Sequence, residues 1–463
     1  MLSVGRHPVI SAGRYAWRSQ LISSPWNGSG SSNSSVMVHS QAGRSEEARP
    51  EDDGSDSDPM KLLILTQYFP PEVGAPQVRL HAIARRLNAL GHEVTVVTAM
   101  PNYPYGVVFP KYRRRLIVKE VVDGVRTIRM WIYAASGRRM LPRLANYLSF
   151  TLTSILGCLM AGRFDYMLVE SPPLFLGLTA FIVSRLRRRT FSLYVSDLWP
   201  ASAKELRIVE NRWLLRLAEH SEGFLYRSAH QIYGVTQGIC DDIVSREIPR
   251  SKVWWVPNGV DTELFRRVNP KALAGIREDQ VVFLYAGTHG YAQGLEVILQ
   301  AAQLVRHIPT ILFLLVGDGP TKAALEAQAT AERLTNVKFL GAQPIEAMPQ
   351  YLSMSRASIV PLRGTPLFRS ARPSKILPSL ACKTPVIYCG EGETATLMQE
   401  EGCGLVVPPE NPSALAQAVM TLAADPVLAA QMGWNGRRLA ESQYSWDTIV
   451  ARLAQILDPA SAS

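Results

Sequence analysis

Cysteine is scarce in this chain, with five in 463 residues, and Cys158, Cys240, Cys382, Cys389 and Cys403 form no C-x-x-C pair. That scatter supports neither a zinc ribbon nor a disulfide framework, and it points to a reducing compartment with buried core thiols. No G-x-G-x-x-G follows the first apolar run, which argues against a nicotinamide dehydrogenase. No Asp-x-Asp stands after a strand in the first half; Asp56-Ser-Asp58 lies in a polar tail, so no metal site is expected. Helix-turn-helix, zinc-finger and RNA-binding signatures are absent, so nucleic acid is not an expected partner. Long apolar runs are few as well. The 19 uncharged residues from Leu144 to Gly162 would permit a membrane span by length, but they include Asn146, Ser149, Thr151, Thr153 and Ser154.

What is present is a basic globular chain, 47% hydrophobic with a net charge of +10. Residues 1–59 hold five arginines against seven acidic residues, so the remainder carries about +12. Such a body suits phosphorylated ligands or an anionic membrane. Residues 1–59 are rich in Ser, Gly and Asn and cannot build a core. They read as a disordered tail or as a start placed too early, with Met60 as the true one. The length beyond them suits two ordinary domains.

From Met60 the sequence reads as β–loop–α–β. An apolar run at Leu62–Leu65 ends in a loop containing Gly74, a helix closes at Gly91, and a second run follows at Val94–Val97. Ligands of open α/β sheets bind beyond the carboxyl ends of strands, and Gly74 lets backbone approach one there. Further strands are expected near 116–120, 126–132, 166–170, 191–196 and 231–235. A second series is expected near 253–256, 281–286, 311–316, 337–340, 357–361, 385–389 and 404–407. The fold class expected is α/β, two Rossmann-like doubly wound domains over 60–250 and 251–435 with a cleft between them. A last segment, 436–463, carries a helix over about 446–457 with Ser445 as its cap.

Three motifs carry chemistry, and two more read as turns that position them. Gly287-Thr-His-Gly290, with Gln293 and Gly294 beyond, is a glycine-rich turn between a strand and a helix, suited to a phosphate. His289 is placed there either to donate to a phosphate or to hold the loop. Arg372-Pro-Ser-Lys375 opens a helix, with Ser374 as a cap and Arg372 and Lys375 near its positive end. Val256-Pro-Asn-Gly-Val-Asp261 is a tight turn between the domains, while Gly317-Asp-Gly-Pro320 reads as structural. Ser196-Asp-Leu-Trp-Pro200 puts Asp197 at a strand end. It suits either a helix cap or a group that polarises a hydroxyl and stabilises positive charge. Glu170 supplies a second carboxylate one strand earlier; paired carboxylates also occur in glycosidases, which these loops do not suggest. Glu391 and Glu393 lie in a later post-strand loop, as sugar contacts or as solvated charges.

Taken together, and with Pro101-Asn-Tyr-Pro-Tyr-Gly106, these motifs resemble family-4 retaining glycosyltransferases over roughly Met60 to Leu457. The likeness is to the bacterial cell-surface polysaccharide branch, of the colanic acid and O-antigen type. The resemblance implies the GT-B fold, with the last helix crossing back to the first domain. It also implies a UDP- or GDP-sugar co-substrate with no other cofactor, and a hexosyl transfer without metal. On that reading Asp197 and His289 are catalytic. Gly74, Gly287, Thr288, His289, Gly290, Gln293, Arg372, Ser374, Lys375 and Glu393 bind donor, and Tyr103, Glu170 and Trp199 face the acceptor. Three positions depart from the family pattern: neutral Gln293 stands where a basic residue is usual, and Ser370 and Pro378 stand where two glutamates are usual.

The arginines at 138, 139, 143, 163, 185 and 187–189 flank two apolar stretches. That arrangement suits helices lying in an anionic interface, or else core helices of the first domain. The expected partners are a nucleotide-sugar, a lipid-linked or glycan acceptor and an anionic membrane surface. The expected place is the cytoplasmic side of the cell membrane, peripherally bound. The alternatives are a GT-B nucleotide-sugar epimerase and a non-catalytic partner subunit.

Overall fold

Short runs of Leu, Val and Ile, apolar on both faces and bounded by Gly, Pro or Asp, become the central strands of two parallel sheets. The structure, a computed structural model, describes residues 59–457 except 73, 104–105, 136–139, 202–210, 272 and 274. The expectation for residues 1–58 therefore lies outside the described residues.

The first sheet contains β1 (Lys61–Leu65), β2 (Glu93–Ala99), β3 (Ile117–Val122), β4 (Val125–Met130), β5 (Tyr166–Ser171), β6 (Thr190–Val195), β7 (Ile232–Gly234) and β8 (Val253–Trp255). Their order is β3-β4-β2-β1-β5-β6-β7-β8. All pairs are parallel except the β3–β4 hairpin, whose turn Asp123-Gly124 has φ 46° and +83°. Two positive-φ residues match the right-handed twist of such a hairpin. Helices α1 (Ala75–Ala89), α2 (Met140–Met160), α3 (Leu176–Arg187), α4 (Arg212–Ser228) and α5 (Gln237–Ser245) lie among these strands in sequence.

The second sheet contains β9 (Val281–Ala286), β10 (Ile311–Val316), β11 (Val337–Leu340), β12 (Ser355–Pro361), β13 (Val386–Cys389) and β14 (Gly404–Val407), ordered β11-β10-β9-β12-β13-β14 and wholly parallel. Its helices are α6 (Glu296–Leu304), α7 (Lys322–Ala331), α8 (Met348–Met354), α9 (Ile376–Ala381), α10 (Glu393–Glu400), α11 (Pro412–Ala424) and α12 (Pro426–Gln443), followed by α13 (Trp446–Leu457). Chain direction across the sheets reverses between β1 and β5, and between β9 and β12. These are the switch points where open α/β sheets bind ligands.

Two boundaries differ from the sequence expectation. Residues 253–255 belong to the first sheet, because β8 pairs in parallel with β7. The second domain therefore begins beyond Trp255 rather than at 251. The return to the first domain starts at Trp446 rather than 436. Leu439 and Ala440 of α12 belong to a core of the second domain, whereas Trp446, Ile449, Val450, Leu453 and Leu457 join the core of the first. Ser445 caps α13, accepting the Thr448 amide at 3.0 Å. Arg86 of α1 bonds Asp447 at 2.6 Å on the same contact.

Among the described residues no single helix is long and apolar enough to cross a membrane. The pair α11–α12 passes on length and composition but is bent by 100°.

Candidate functional site

β9 is followed by Gly287, whose φ of +144° is a region that L side chains rarely adopt. Its neighbour turn, after β10, is built from Gly317 and Gly319, also at positive φ. A Cβ on Gly317 would stand 1.9 Å from the Gly287 carbonyl, and one on Gly319 would stand 2.4 Å from the His289 carbonyl. The two turns interlock backbone to backbone. Gly317-Asp-Gly-Pro320 is thus the seat on which the Gly287 loop rests.

His289 belongs to that seat. Its amide donates to the Asp318 carbonyl at 2.8 Å, and its own carbonyl accepts from the amide and hydroxyl of Thr321 at 3.1 and 2.9 Å. Its ring is fully buried beside Tyr285 and Phe339, with no hydrogen-bond partner on either nitrogen. Burial lowers its pKa to about 4, so the imidazole is neutral. Of its two expected roles, this arrangement matches holding the loop. Thr288 is the exposed tip, and its carbonyl accepts from the Tyr285 hydroxyl at 2.5 Å. Gln293 folds back over Gly290, where a Cβ would lie 2.6 Å from Oε1.

Lys375 meets this loop from the other side of the switch point. Its Nζ lies 2.9 Å from the Tyr285 hydroxyl and 4.3 Å from that ring's centroid. It would be 3.2 Å from a Cβ on Gly287. Burial lowers its pKa to about 7, so a cation here is poorly solvated until an anion arrives. The glycine loop and the Pro-Ser-Lys motif, about 90 residues apart, therefore form one site.

Two expectations at this motif need correction. Ser374 is exposed and caps nothing; the following helix α9 has only six residues and no side-chain cap, so a helix-dipole argument has little to stand on. Arg372 is engaged by other groups than the glycine loop. Its Nη1 donates to the Tyr444 hydroxyl at 2.7 Å, its Nη2 pairs with Glu393, and its guanidinium lies over the Trp255 and Tyr444 rings. Only 6% of the side chain is exposed. Glu393 also accepts the Gly238 amide of α5 at 3.1 Å. Arg372 and Glu393 thus clasp the two domains together. Ser370, at one missing-glutamate position, sits at the same contact: a Cβ on Gly238 would be 2.5 Å from the Ser370 Cβ. Glu391 forms an exposed pair with Arg369 at 3.1 Å.

Across the cleft, Gly74 opens α1 without a side-chain cap. The preceding loop holds Glu72, a residue that sequence reasoning did not single out. Its carboxylate is 3% exposed and accepts the amides of Asn102 and Tyr103 at 2.7 and 2.8 Å, tying the loops after β1 and β2 together. Burial raises its pKa to about 6. Tyr103 is exposed and packs edge-on against Tyr68, 5.8 Å between centroids.

Glu170 corrects another expectation. Its side chain is wholly buried, paired with Arg79 and accepting from the Ser196 hydroxyl at 2.9 Å. Arg79 in turn donates to Asn258 Oδ1 at 2.7 Å and lies over the Tyr194 ring. Glu170 therefore supports the interdomain turn, and an acceptor has no open face of it to touch. Burial pushes its pKa up, against the pull of Arg79. Asp197 and Trp199 follow β6 and are half-buried. Trp199 lines an apolar cavity of about 300 Å³ with Arg143, Tyr147 and leucines of α4. Among the described residues no cluster of three or more His, Cys, Asp or Glu could hold a metal ion.

Comparison with known proteins places this geometry. Residues 74–259 match the model for a glycosyl transferase 4-like domain, and residues 280–425 match that for glycosyl transferases group 1. WcaI of Escherichia coli K12, named as a glycosyl transferase of colanic acid biosynthesis, is 25% identical over 376 residues, 78% of this chain and 91% of its own. The D-rhamnosyltransferase WbpZ of Pseudomonas aeruginosa is 34% identical over 204 residues, 42% of this chain and 49% of its own. The solved structure of Anabaena HepE with UDP-glucose aligns with a TM-score of 0.64 at 17% identity, over 86% of this chain and 99% of that one. That likeness is one of fold.

Proposed function

Because the chain belongs to the group 1 glycosyltransferases with a glycosyl transferase 4-like first domain, of the kind that builds cell-surface polysaccharide and lipopolysaccharide, we propose that it carries out a retaining, metal-independent hexosyl transfer. The donor is a UDP- or GDP-sugar. The acceptor is lipid-linked and presented at an anionic membrane surface on the cytoplasmic side.

The observation that carries this reading is the meeting of Lys375 with the Gly287 loop at the switch point of the second sheet. An anion at that point finds an ammonium already positioned, while Arg372 is occupied by Glu393 and Gln293 is neutral. Transfer with retention proceeds on the donor face of the sugar: the departing diphosphate takes the proton of the attacking hydroxyl. The protein's share is positioning and charge stabilisation. Lys375 stabilises the leaving diphosphate. Asp197, at the end of β6, polarises the acceptor hydroxyl or stabilises the positive charge developing on the ring. Glu72 holds the Tyr103 loop on the acceptor side.

The test is thermal stabilisation of the full chain by UDP, GDP and NAD in parallel, because a ligand of the folded state raises apparent stability by mass action. A shift with UDP or GDP alone supports a working donor site and identifies its base. No shift with any of them, in a folded sample, favours a partner subunit that keeps the fold without the chemistry.

A further inference from the structure

Tyr285, near the end of β9, touches both halves of the site made by the Gly287 loop and Lys375. It is fully buried, and its ring belongs to a core of the second domain. Its hydroxyl donates to the Thr288 carbonyl at 2.5 Å and lies 2.9 Å from Lys375 Nζ. A phenol carries one proton, and a carbonyl can only accept. With that proton given to Thr288, the phenol oxygen is left as the acceptor for Lys375. The three groups form one directed chain, ammonium to hydroxyl to carbonyl, in which each bond strengthens the next. The missing side chain of Gly287 leaves room for it. A Cβ there would lie 3.2 Å from Lys375 Cε and Nζ, and 3.8 Å from the Tyr285 oxygen.

The use of a phenol has a consequence for charge. Among the described residues no carboxylate pairs with Lys375, and burial is what lowers its pKa. A carboxylate in the place of Tyr285 would hold the ammonium more firmly, but it would also neutralise it, and an incoming diphosphate would have to displace it. Burial raises the Tyr285 pKa, so the phenol stays protonated and neutral. The titratable group of the loop itself, His289, has its ring centroid 5.6 Å from that of Tyr285 and is neutral, with Asp318, Lys322 and Lys375 acting on it. Tyr285 therefore fixes the position of Lys375 and leaves its charge to a ligand. The same hydroxyl occupies the Thr288 carbonyl, an oxygen that would otherwise repel an anion at the loop tip.

We propose that Tyr285 is the positioning residue of the donor site, a neutral acceptor that holds the Lys375 ammonium at the glycine loop without cancelling its charge. This role presupposes the nucleotide-sugar donor proposed above.

The test is Tyr285→Phe, which keeps the buried ring and removes only the hydroxyl. Calorimetric titration of UDP and GDP into the full chain, from about pH 5.5 to about pH 8, gives the ratio of variant to wild-type Kd. Without its acceptor the ammonium should lose its proton about one pH unit lower, so the ratio should grow by up to about tenfold across that range. The nucleotide's own ionisation is common to both proteins and cancels in the ratio. Competitive acetylation of Lys375, read by mass spectrometry on the nucleotide-free protein, should show the same downward shift. In the Lys375→Met background, Tyr285→Phe should leave Kd unchanged within about twofold. Replacement of tyrosine by a ring-fluorinated analogue, which keeps the hydroxyl but makes it a poorer acceptor, should move the Lys375 titration the same way by less, and it serves if the phenylalanine variant misfolds. A Kd ratio that is constant with pH, or a Lys375 titration that does not move, in protein that unfolds like wild type, overturns the proposal and leaves Tyr285 a core residue. Absence of UDP and GDP binding in wild type removes the proposed donor instead, and the acetylation result then decides by itself whether Tyr285 holds the ammonium.

Discussion

Lys375→Met is the most informative single change at the donor site. It keeps the aliphatic stem between Tyr285 and Gly287 and removes only the ammonium. A hydrogen bond to a charged group contributes about 1.5–3 kcal/mol net. At about 1.4 kcal/mol per factor of ten, the Kd for UDP or GDP should rise about 10- to 100-fold. Stability should behave differently. The folded-state pKa is about 7 against the ordinary 10.5, so between those values the unfolded chain holds a proton that the folded chain has released. Wild-type stability therefore rises with pH through that window, and the variant lacks this contribution. The same titration governs binding. Only the ammonium attracts a diphosphate, so wild-type affinity should fall above about pH 7, by up to about tenfold per pH unit, while the variant stays flat. Calorimetric nucleotide titrations from about pH 7 to about pH 9, paired with urea denaturation of both proteins, measure all three effects. Equal Kd values and a flat wild-type profile, in a variant that unfolds like wild type, would refute the reasoning.

Two further predictions concern the interdomain supports. Glu393→Ala leaves Arg372 buried without its carboxylate and the Gly238 amide without its acceptor, so urea denaturation should show a loss of about 3 kcal/mol or more. Glu393→Gln, still an acceptor, should lose less. Arg79→Met strands the Glu170 carboxylate and should cost about 3 kcal/mol near neutral pH. Without Arg79 the Glu170 pKa rises further above its unfolded value, so the cost should appear as pH rises and shrink in acid. A loss independent of pH would point to packing rather than to the buried charge.

Much of the architecture was legible because parallel strands buried on both faces must be continuous apolar runs, and such runs recur twice along the chain. The glycine turn after β9 and the lysine of Pro-Ser-Lys were legible for a similar reason: each residue type has a narrow chemical use. What stayed hidden depended on partners distant in sequence. Arg372 and Lys375 looked alike as cations in one motif. Their uses are separated by Glu393 and Tyr444, 21 and 72 residues further on. Glu170 looked like a cleft carboxylate until Arg79, 91 residues away, covered it. The three-residue β8 carries no periodicity that says which sheet it joins.

The sequence by itself determined the α/β class, the tandem sheets and the residue types that can meet a phosphate, because strand burial and backbone reach are local properties. Only the tertiary structure decided which charges are spent on the hinge, since an ion pair exists only where two distant segments converge. It also decided which face of α2 meets the outside. The helix carries both hydroxyls and leucines, and it is Gln67 and Thr179, supplied by other elements, that turn the polar side in and leave the leucines out.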